Sequence, residues 1–580
     1  MTSERARTGV ASKNQGSVPI HEQRAQVLVS ETNGSSDTAP GSMEPLGWWT
    51  GPASAVDRRP DAVKEAVQDT GRAVLLISDR GGCARVSGGT AILGAGVSEP
   101  EAFPIIGYSP ANPPEHLGDP EFLADHGLRY PYIAGAMANG IGSVEIVEAM
   151  GRAGMLGFFG AAGLPLEAVD AAIDRLSRSL EGRPYGFNLI HSPNEPDLEA
   201  AVVELYLRRG VHLASASAYL DLTLPVVRYR VHGIHENSEG RIVTPNRLIA
   251  KVSRMEVATK FFSPPPERLL KPLVETGDIT EEQARLAAHI PMAQDITAEA
   301  DSGGHTDNQP ALALMPSLMA LRDRMQERQG YRQTLRVGAA GGISTPVAAA
   351  AALSMGAAYI LTGSVNQSCV EAGTSQTVRT MLAAAEQADV AMAPAADMFE
   401  MGVKVQVLKR GTLFAMRAQK LYDLYRACDS LESIPKTERA ALEKNFFRTS
   451  VDAVWSQCRD FFAKRDPAQL ERAAKDPKHK MALVFRWYLG QSSHWANAGD
   501  PSRTIDYQIW CGPAMGAFNE WVKGSFLEEP EHRGVVTVAL NILHGAALLT
   551  RINALRSQGV PPQRSWSEYR LRPVEELRVH

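Results

Sequence analysis

Cysteine is scarce in this sequence. Five stand in 580 residues, Cys83, Cys369, Cys428, Cys458 and Cys511. The number is odd, the spacing wide and no Cys-x-x-Cys pair occurs, so neither a disulfide framework nor a zinc site is indicated. A reducing, cytoplasmic setting is expected. An excess of one charge is also missing, since 60 Lys and Arg stand against 65 Asp and Glu, a net charge of −5. This argues against nucleic acid or an anionic membrane surface as the main partner. No leader with an apolar centre opens the chain. The one uncharged run that imitates a membrane span, Val337 to Val370, is rich in Ala and Gly and broken by Pro346. It reads better as a buried strand–helix–strand unit, and a soluble protein without a membrane partner is expected. What is present is ordinary for globular proteins: 44% apolar and 22% charged residues, over a length that suits two to four domains.

Residues 1–42 hold too few large apolar side chains to offset the entropy of ordering, and a disordered tail is expected. Residues 43–120 read as a small α+β domain and linker. Ala73–Ile77 and Ala84–Val86 form its strands around a turn at Gly81-Gly82, Trp48-Trp49 is a packing pair, and the proline-rich stretch from Gly107 to Pro120 is the linker. From 121 to 390, short apolar runs alternate with amphipathic helices. The runs are Tyr132–Ala136, Met155–Phe159, Gly186–Ile190, Val211–Ala214, Leu248–Val252, Met292–Ala298, Arg336–Ala339 and Tyr359–Thr362. Eight strands joined by crossovers predict an α/β fold, a (β/α)8 TIM barrel rather than an open doubly wound sheet. Two insertions interrupt the period, a hairpin at His232–Gly240 and a pair of polar helices within 260–290. Residues 391–580 are mostly helical, apart from an alternating strand at Val403, Val405 and Val407. Their helices, Leu413–Asp429, Pro467–Leu489 and Val535–Leu555, form the expected helical C-terminal subdomain.

Barrel ligands sit where strands end in βα loops. The seventh strand ends in Gly338-Ala339-Ala340-Gly341-Gly342-Ile343 and the eighth in Thr362-Gly363-Ser364. Bare glycines there let main-chain N–H groups reach a phosphate. The sixth ends in Asp301-Ser302-Gly303-Gly304-His305, which puts a histidine at the mouth as acid, base or hydrogen-bond donor. Lys251 lies inside an apolar strand, costly unless paired, either with an anionic ring system or with a barrel acid such as Glu299 or Asp301. Asn188 at the end of the third strand suits a heterocycle edge. Ala136 and Met137, in Gly135-Ala136-Met137-Ala138, leave room for a flat ring. His232 and His235 have no third ligand, and no metal is expected.

These strings resemble the FMN-dependent barrels of the nitronate monooxygenase and FabK enoyl reductase group. The stretches Pro114–Pro120, Lys251-Val252-Ser253-Arg254, Lys404–Thr412 and Asp506–Gly516 are similar to the PfaD family of trans-acting enoyl reductases in polyketide and polyunsaturated fatty acid synthases. The resemblance implies FMN, NADPH or NADH as co-substrate, and an α,β-unsaturated thioester on an acyl carrier protein. It implies that Gly341, Gly342, Gly363 and Ser364 hold the FMN phosphate. Ala136, Met137 and Asn188 would line the ring, Asp301, Gly303 and Gly304 would be further cofactor contacts, and His305 would stand at the reactive face. Lys251 beside the pyrimidine edge is a physical inference rather than a family assignment. Such barrels commonly pair, so a homodimer is expected. The competing readings are oxidation of a nitronate or similar small anion by the same flavin, and a non-catalytic protein that organises a synthase. The basic stretch Lys404, Lys409, Arg410, Arg417, Lys420 and Arg426 is a solvated face or a dock for an acidic carrier.

Overall fold

Arg80 and Gly81 both take positive φ, 50° and 78°, in the two-residue turn between the strands Val74–Asp79 and Gly82–Val86. Positive φ at both central residues gives the turn that matches the right-handed twist of its strands. It falls one residue earlier than the expected Gly81-Gly82. The computed structural model describes residues 17–20, 25–29, 44–94, 101–191, 196–303 and 307–577. In it this hairpin belongs to an eight-stranded sheet in the order 17–20, 25–29, 89–93, 47–50, 103–109, 74–79, 82–86, 56–57. Two of these strands, Ser17–Ile20 and Ala25–Val29, fall within the expected disordered tail, so that expectation does not hold for these nine residues. The rest of that tail lies outside the described residues. Phe103–Ser109 is a full strand, so the linker expected from Gly107 begins only after it.

The chain divides into two compact units. One holds the residues up to His116 together with Leu543–Arg570, and the other holds Leu117–Ile542 and Leu571–Leu577. Leu543–Arg570, expected in the helical subdomain, thus belongs to the unit of the N-terminal sheet. Trp49, Leu75, Ile77 and Ile105 form one core of the first unit, and Val67, Leu76, Leu548, Ile552 and Trp566 another. Arg551 is 1% exposed and donates to the carbonyls of Ala66, Asp69, Thr70, Arg72 and Pro110, which joins its helix to the loops bordering the sheet. The planar guanidinium offers donors in several fixed directions at once, a fork geometry that lysine lacks. The helix that carries it, Val535–Ser557, is by length and hydropathy the one described helix able to cross a membrane, and 83% of its most apolar window is buried inside the protein.

The second unit is organised by a closed barrel of eight parallel strands. They are β1 (Tyr132–Ala134), β2 (Leu156–Phe159), β3 (Gly186–Ile190), β4 (Leu213–Ser217), β5 (Arg247–Val252), β6 (Asp295–Glu299), β7 (Arg336–Ala340) and β8 (Ile360–Thr362). The strands are short and buried almost throughout, as parallel strands covered by helices must be. Pairing of β8 with β1, Leu361 opposite Ile133, closes the cylinder. The expected insertions are present: a hairpin pairing His235–Glu236 with Ile242–Val243, and the helices Glu267–Glu275 and Glu281–Ala287.

At the N-terminal end of the barrel, away from the loops that form the mouth, Asp295 opens β6 and Arg336 opens β7. Arg336 Nε donates to Asp295 Oδ1 at 2.6 Å, and His126 Nε2 lies 2.8 Å from Asp295 Oδ2. Asp125 takes another guanidinium nitrogen of Arg336 at 2.8 Å.

After the barrel, Val390–Pro394 pairs antiparallel with Lys404–Leu408, and helices follow. The expected helix Pro467–Leu489 is two helices, Pro467–Lys475 and Pro477–Ala498. Pro477 disfavours helical backbone at Asp476, whose carboxylate instead caps the second helix by accepting from the N–H groups of Lys478 and His479.

Candidate active site

Glycine ends two neighbouring strands, and the two glycines do different things. Gly341, after β7, has φ +84°, and a Cβ there would come within 2.6 Å of the Ala300 carbonyl carbon, so it is required by the backbone itself. Gly363, after β8, has φ −128°, and a Cβ there would meet nothing within 4 Å among the described residues. Gly342 likewise faces open space. The fold therefore leaves room beside Gly342 and Gly363 that their own packing does not use. Among the described residues no acceptor is found for the main-chain N–H groups of Gly342, Gly363 or Ser364, whereas the pairing of Ala340 with Leu361 directs the Gly341 N–H at the Leu361 carbonyl. The Ser344 hydroxyl next to them is fully buried and without a hydrogen bond among the described residues.

That space is part of a cavity at the barrel mouth. It offers about 170 Å³ to the centre of a water-sized sphere, against the ~10–15 Å³ that one water needs, so it is far more than a packing fault. Gly135, Ala136 and Met137 from the β1 end, Asn188 from β3, Lys251 from β5, Gly303 from the β6 loop, and Gly341, Gly342, Gly363 and Ser364 all line it. Asn188 is buried. Its Oδ1 accepts from Ala162 N at 3.2 Å, and its Nδ2 has no partner among the described residues. Lys251 Nζ sits 2.7 Å from Glu299 Oε1, and both side chains are nearly buried, at 13% and 9% exposure. The barrel acid is thus the partner found for Lys251, and the pair presents one cation and one anion to the cavity together.

The loop after β6 is held at both ends. Asp301 Oδ1 accepts from Asn308 Nδ2 at 2.7 Å and from Gln406 Nε2 at 2.5 Å. Asp307 accepts from Ser253 Oγ and, in a two-pronged ion pair, from Arg254 at 2.8 and 2.7 Å. The Arg254 guanidinium holds the Asp307 carboxyl below the usual carboxylate range, against the opposing effect of burial. Asp301, expected among the cofactor contacts, does not line the cavity and instead ties its loop to the strand Lys404–Leu408. Gly304 and His305 lie outside the described residues.

Part of the wall comes from far along the chain. Val405, Trp510, Gly512 and Ala514 line the same cavity. Val407 bridges to Trp510, Leu408 N donates to Ile509 O at 2.8 Å, and Gly512 N donates to Ser364 Oγ at 3.2 Å. A Cβ on Gly303 would stand 3.1 Å from Cys511 N, so the 510–512 segment packs directly on the β6 loop. The string Asp506–Gly516 was legible as a signature but not as a wall, because no hydrophobic period reports which strand end a remote segment covers. Glu299, Ser217 and Ala218 were also given no place at the cavity. The basic stretch is not uniformly a free surface. Arg417 is bonded to the fully buried carboxylate of Asp506, and Arg410 pairs with Glu386 and Asp389.

Comparison with known proteins fits this geometry. Residues 121–420 match the family model of nitronate monooxygenase, and residues 428–507 match that of the inserted helical domain of [acyl-carrier-protein] S-malonyltransferase. The chain is 51% identical over 449 residues to one of the polyunsaturated fatty acid synthase subunits of Thraustochytrium sp., covering 76% of this chain and 30% of that protein. It is 47% identical over 436 residues to polyketide biosynthesis protein PksE of Bacillus subtilis, covering 75% and 56%. The chain thus spans under a third to just over half of the length of these curated relatives. Among solved structures, the enoyl reductase domain of MlnA, from the macrolactin biosynthesis cluster of Bacillus amyloliquefaciens, is 40% identical with a TM-score of 0.71, covering 77% of this chain and 99% of that one.

Proposed function

The chain belongs to the nitronate monooxygenase family, in the PfaD-like branch that it shares with components of polyketide and polyunsaturated fatty acid synthases, and on that premise we propose that it is an FMN-dependent enoyl reductase. Its substrate would be the α,β-unsaturated thioester of an acyl chain on a carrier protein, and its reductant NADPH or NADH. The observation that carries the reading is the space beside Gly342 and Gly363, which the fold leaves open and lines with main-chain N–H groups that have no acceptor among the described residues. Such a cradle fits a phosphate monoester. The amide nitrogen of Asn188, without a partner among the described residues, fits the edge of a heterocycle, and Ala136 and Met137 leave the flat space beside it. A flavin bound there would supply hydride transfer from the nicotinamide to the β-carbon of the enoyl thioester.

The residues of the chain have three tasks in this reading. Main-chain N–H groups at Gly342, Gly363 and Ser364 hold the phosphate. Lys251 stabilises negative charge at the cavity floor, with Glu299 keeping it in place and balancing its charge when the cavity is empty of anions. His305 follows Gly303-Gly304 on the loop anchored through Asp301 and Asp307. It would hold the thioester oxygen and deliver the proton to the α-carbon, a role typically worth about 10²–10⁴ in rate.

Purified protein incubated with FMN is expected to turn yellow and retain the flavin through gel filtration. A colourless product would favour an organising role over an enzyme. The double variant Lys251→Met/Glu299→Gln removes the cation without stranding its acid. It is expected to keep FMN while NADPH consumption with crotonyl thioester falls about 10²–10³-fold, the size seen when one preorganised charge-stabilising group is removed. Unchanged consumption would take Lys251 out of the catalytic machinery.

A further inference from the structure

Three apolar side chains stand in water around the start of the helix Phe414–Ala427. Leu413, Met416 and Ile505 are 38%, 67% and 36% exposed. Leu413 N donates to Ile505 O at 2.8 Å, and Met416 follows Leu413 by about one helical turn, so the three form one patch. Single exposed apolar residues need no explanation, but a cluster rimmed by charge marks an interaction surface. This rim carries basic charge. Arg448, 38% exposed, stands at the surface and shares the fully buried carboxylate of Asp506 with Arg417 and Arg503, which are themselves nearly buried beneath the patch. Three guanidinium groups on one carboxylate leave positive charge in excess, which Asp500 offsets only in part. Lys409 is exposed on the turn that leads into the helix. Lys420, one turn beyond Met416, is paired with Glu438 at 3.0 Å.

The patch lies close along the chain to the cavity. Ile505 precedes the cavity-lining Trp510 by five residues, which bounds their separation at about 17 Å even for extended backbone. Two of the three arginines, with Ile505, fall inside residues 428–507, the segment that matches the inserted helical domain of a carrier-protein malonyltransferase.

We propose that this patch docks the acidic helical face of the acyl carrier protein, with Met416 and Leu413 in contact and the basic rim paired to carrier carboxylates. The inference rests on the enoyl reductase reading. The apolar centre would give affinity, and the rim would steer the encounter.

The test uses Met416→Glu and Lys409→Glu, two exposed positions outside the cavity wall, with two substrates: a crotonyl-loaded acyl carrier protein and crotonyl N-acetylcysteamine. For each variant kcat/KM on the carrier is expected to fall about tenfold or more through KM, while the small thioester stays within about twofold. Raising salt should weaken turnover of the carrier substrate alone. Equal loss on both substrates, or no loss on either, would overturn the docking surface while leaving the reductase reading intact. An unaltered enzyme inactive on both substrates would overturn that reading, and the docking proposal with it.

Discussion

A Gly363→Leu protein is expected to fold as the unaltered one does and to bind FMN at least about a hundredfold more weakly. Among the described residues nothing lies within 4 Å of a Cβ at this position, and φ is negative, so the substitution asks little of the fold. The new side chain fills the cradle and blocks approach to the N–H groups of Gly363 and Ser364. Two hydrogen bonds to a charged group contribute about 1.5–3 kcal/mol each, which makes a hundredfold loss the lower bound. Fluorescence titration with FMN, alongside a melting curve, reads both halves of the expectation. Gly341→Ala is the contrasting case. There the left-handed backbone and the contact with Ala300 place the damage in the loop itself, so stability and flavin should fall together. A Gly363→Leu protein that binds FMN normally would show that the open space serves something else.

Asp295→Asn is expected to destabilise the barrel unit by about 3–5 kcal/mol, the cost of breaking a buried ion pair by removing one partner. Arg336 is 2% exposed and keeps only the half-exposed Asp125 as a charged partner, while His126 loses its carboxylate. Burial alone would raise the pKa of Asp295. The hydrogen bond and charge of His126, together with the charge and hydrogen bond of Arg336, outweigh it, and the carboxyl is held below the usual carboxylate range. A group whose folded pKa is depressed stabilises the fold above its unfolded pKa of about 3.9, and that contribution is lost as pH falls through the lower folded value. The unaltered protein should therefore lose stability below about pH 4, and the variant should show a flatter acid limb. Denaturant unfolding between pH 3 and 7 measures both. Because the network is at the end of the barrel away from the mouth, the folded fraction of the variant should still bind FMN.

The barrel was legible because parallel strands buried on both faces leave short apolar runs separated by helix-length crossovers. All eight runs, from Tyr132 to Thr362, are strands within about three residues of their expected ends. The glycine-rich strand ends were legible for the same reason, since topology alone sends them to one mouth. What escaped the reading depends on contacts between remote segments. Trp510 and Val405 reach the cavity through an antiparallel pairing that no local pattern encodes. Asp301 looked like a cofactor contact because it begins the Gly-Gly-His loop. Its carboxylate is instead spent on Gln406, whose place beside it only the folded chain reveals. Arg417 looked like part of an open basic face, yet it neutralises buried Asp506. The break at Asp476-Pro477 was visible in the sequence, since proline halts the helix before it, but a continuing amphipathic pattern on both sides masked it.

The most direct test is anaerobic incubation of the purified protein with FMN, NADPH and a crotonyl-loaded acyl carrier protein, read by intact mass. The expected result is a gain of two hydrogens on the acyl chain, dependent on enzyme and NADPH and indifferent to oxygen. No change in acyl mass, together with oxygen-dependent consumption of a nitronate in a parallel reaction, would contradict it.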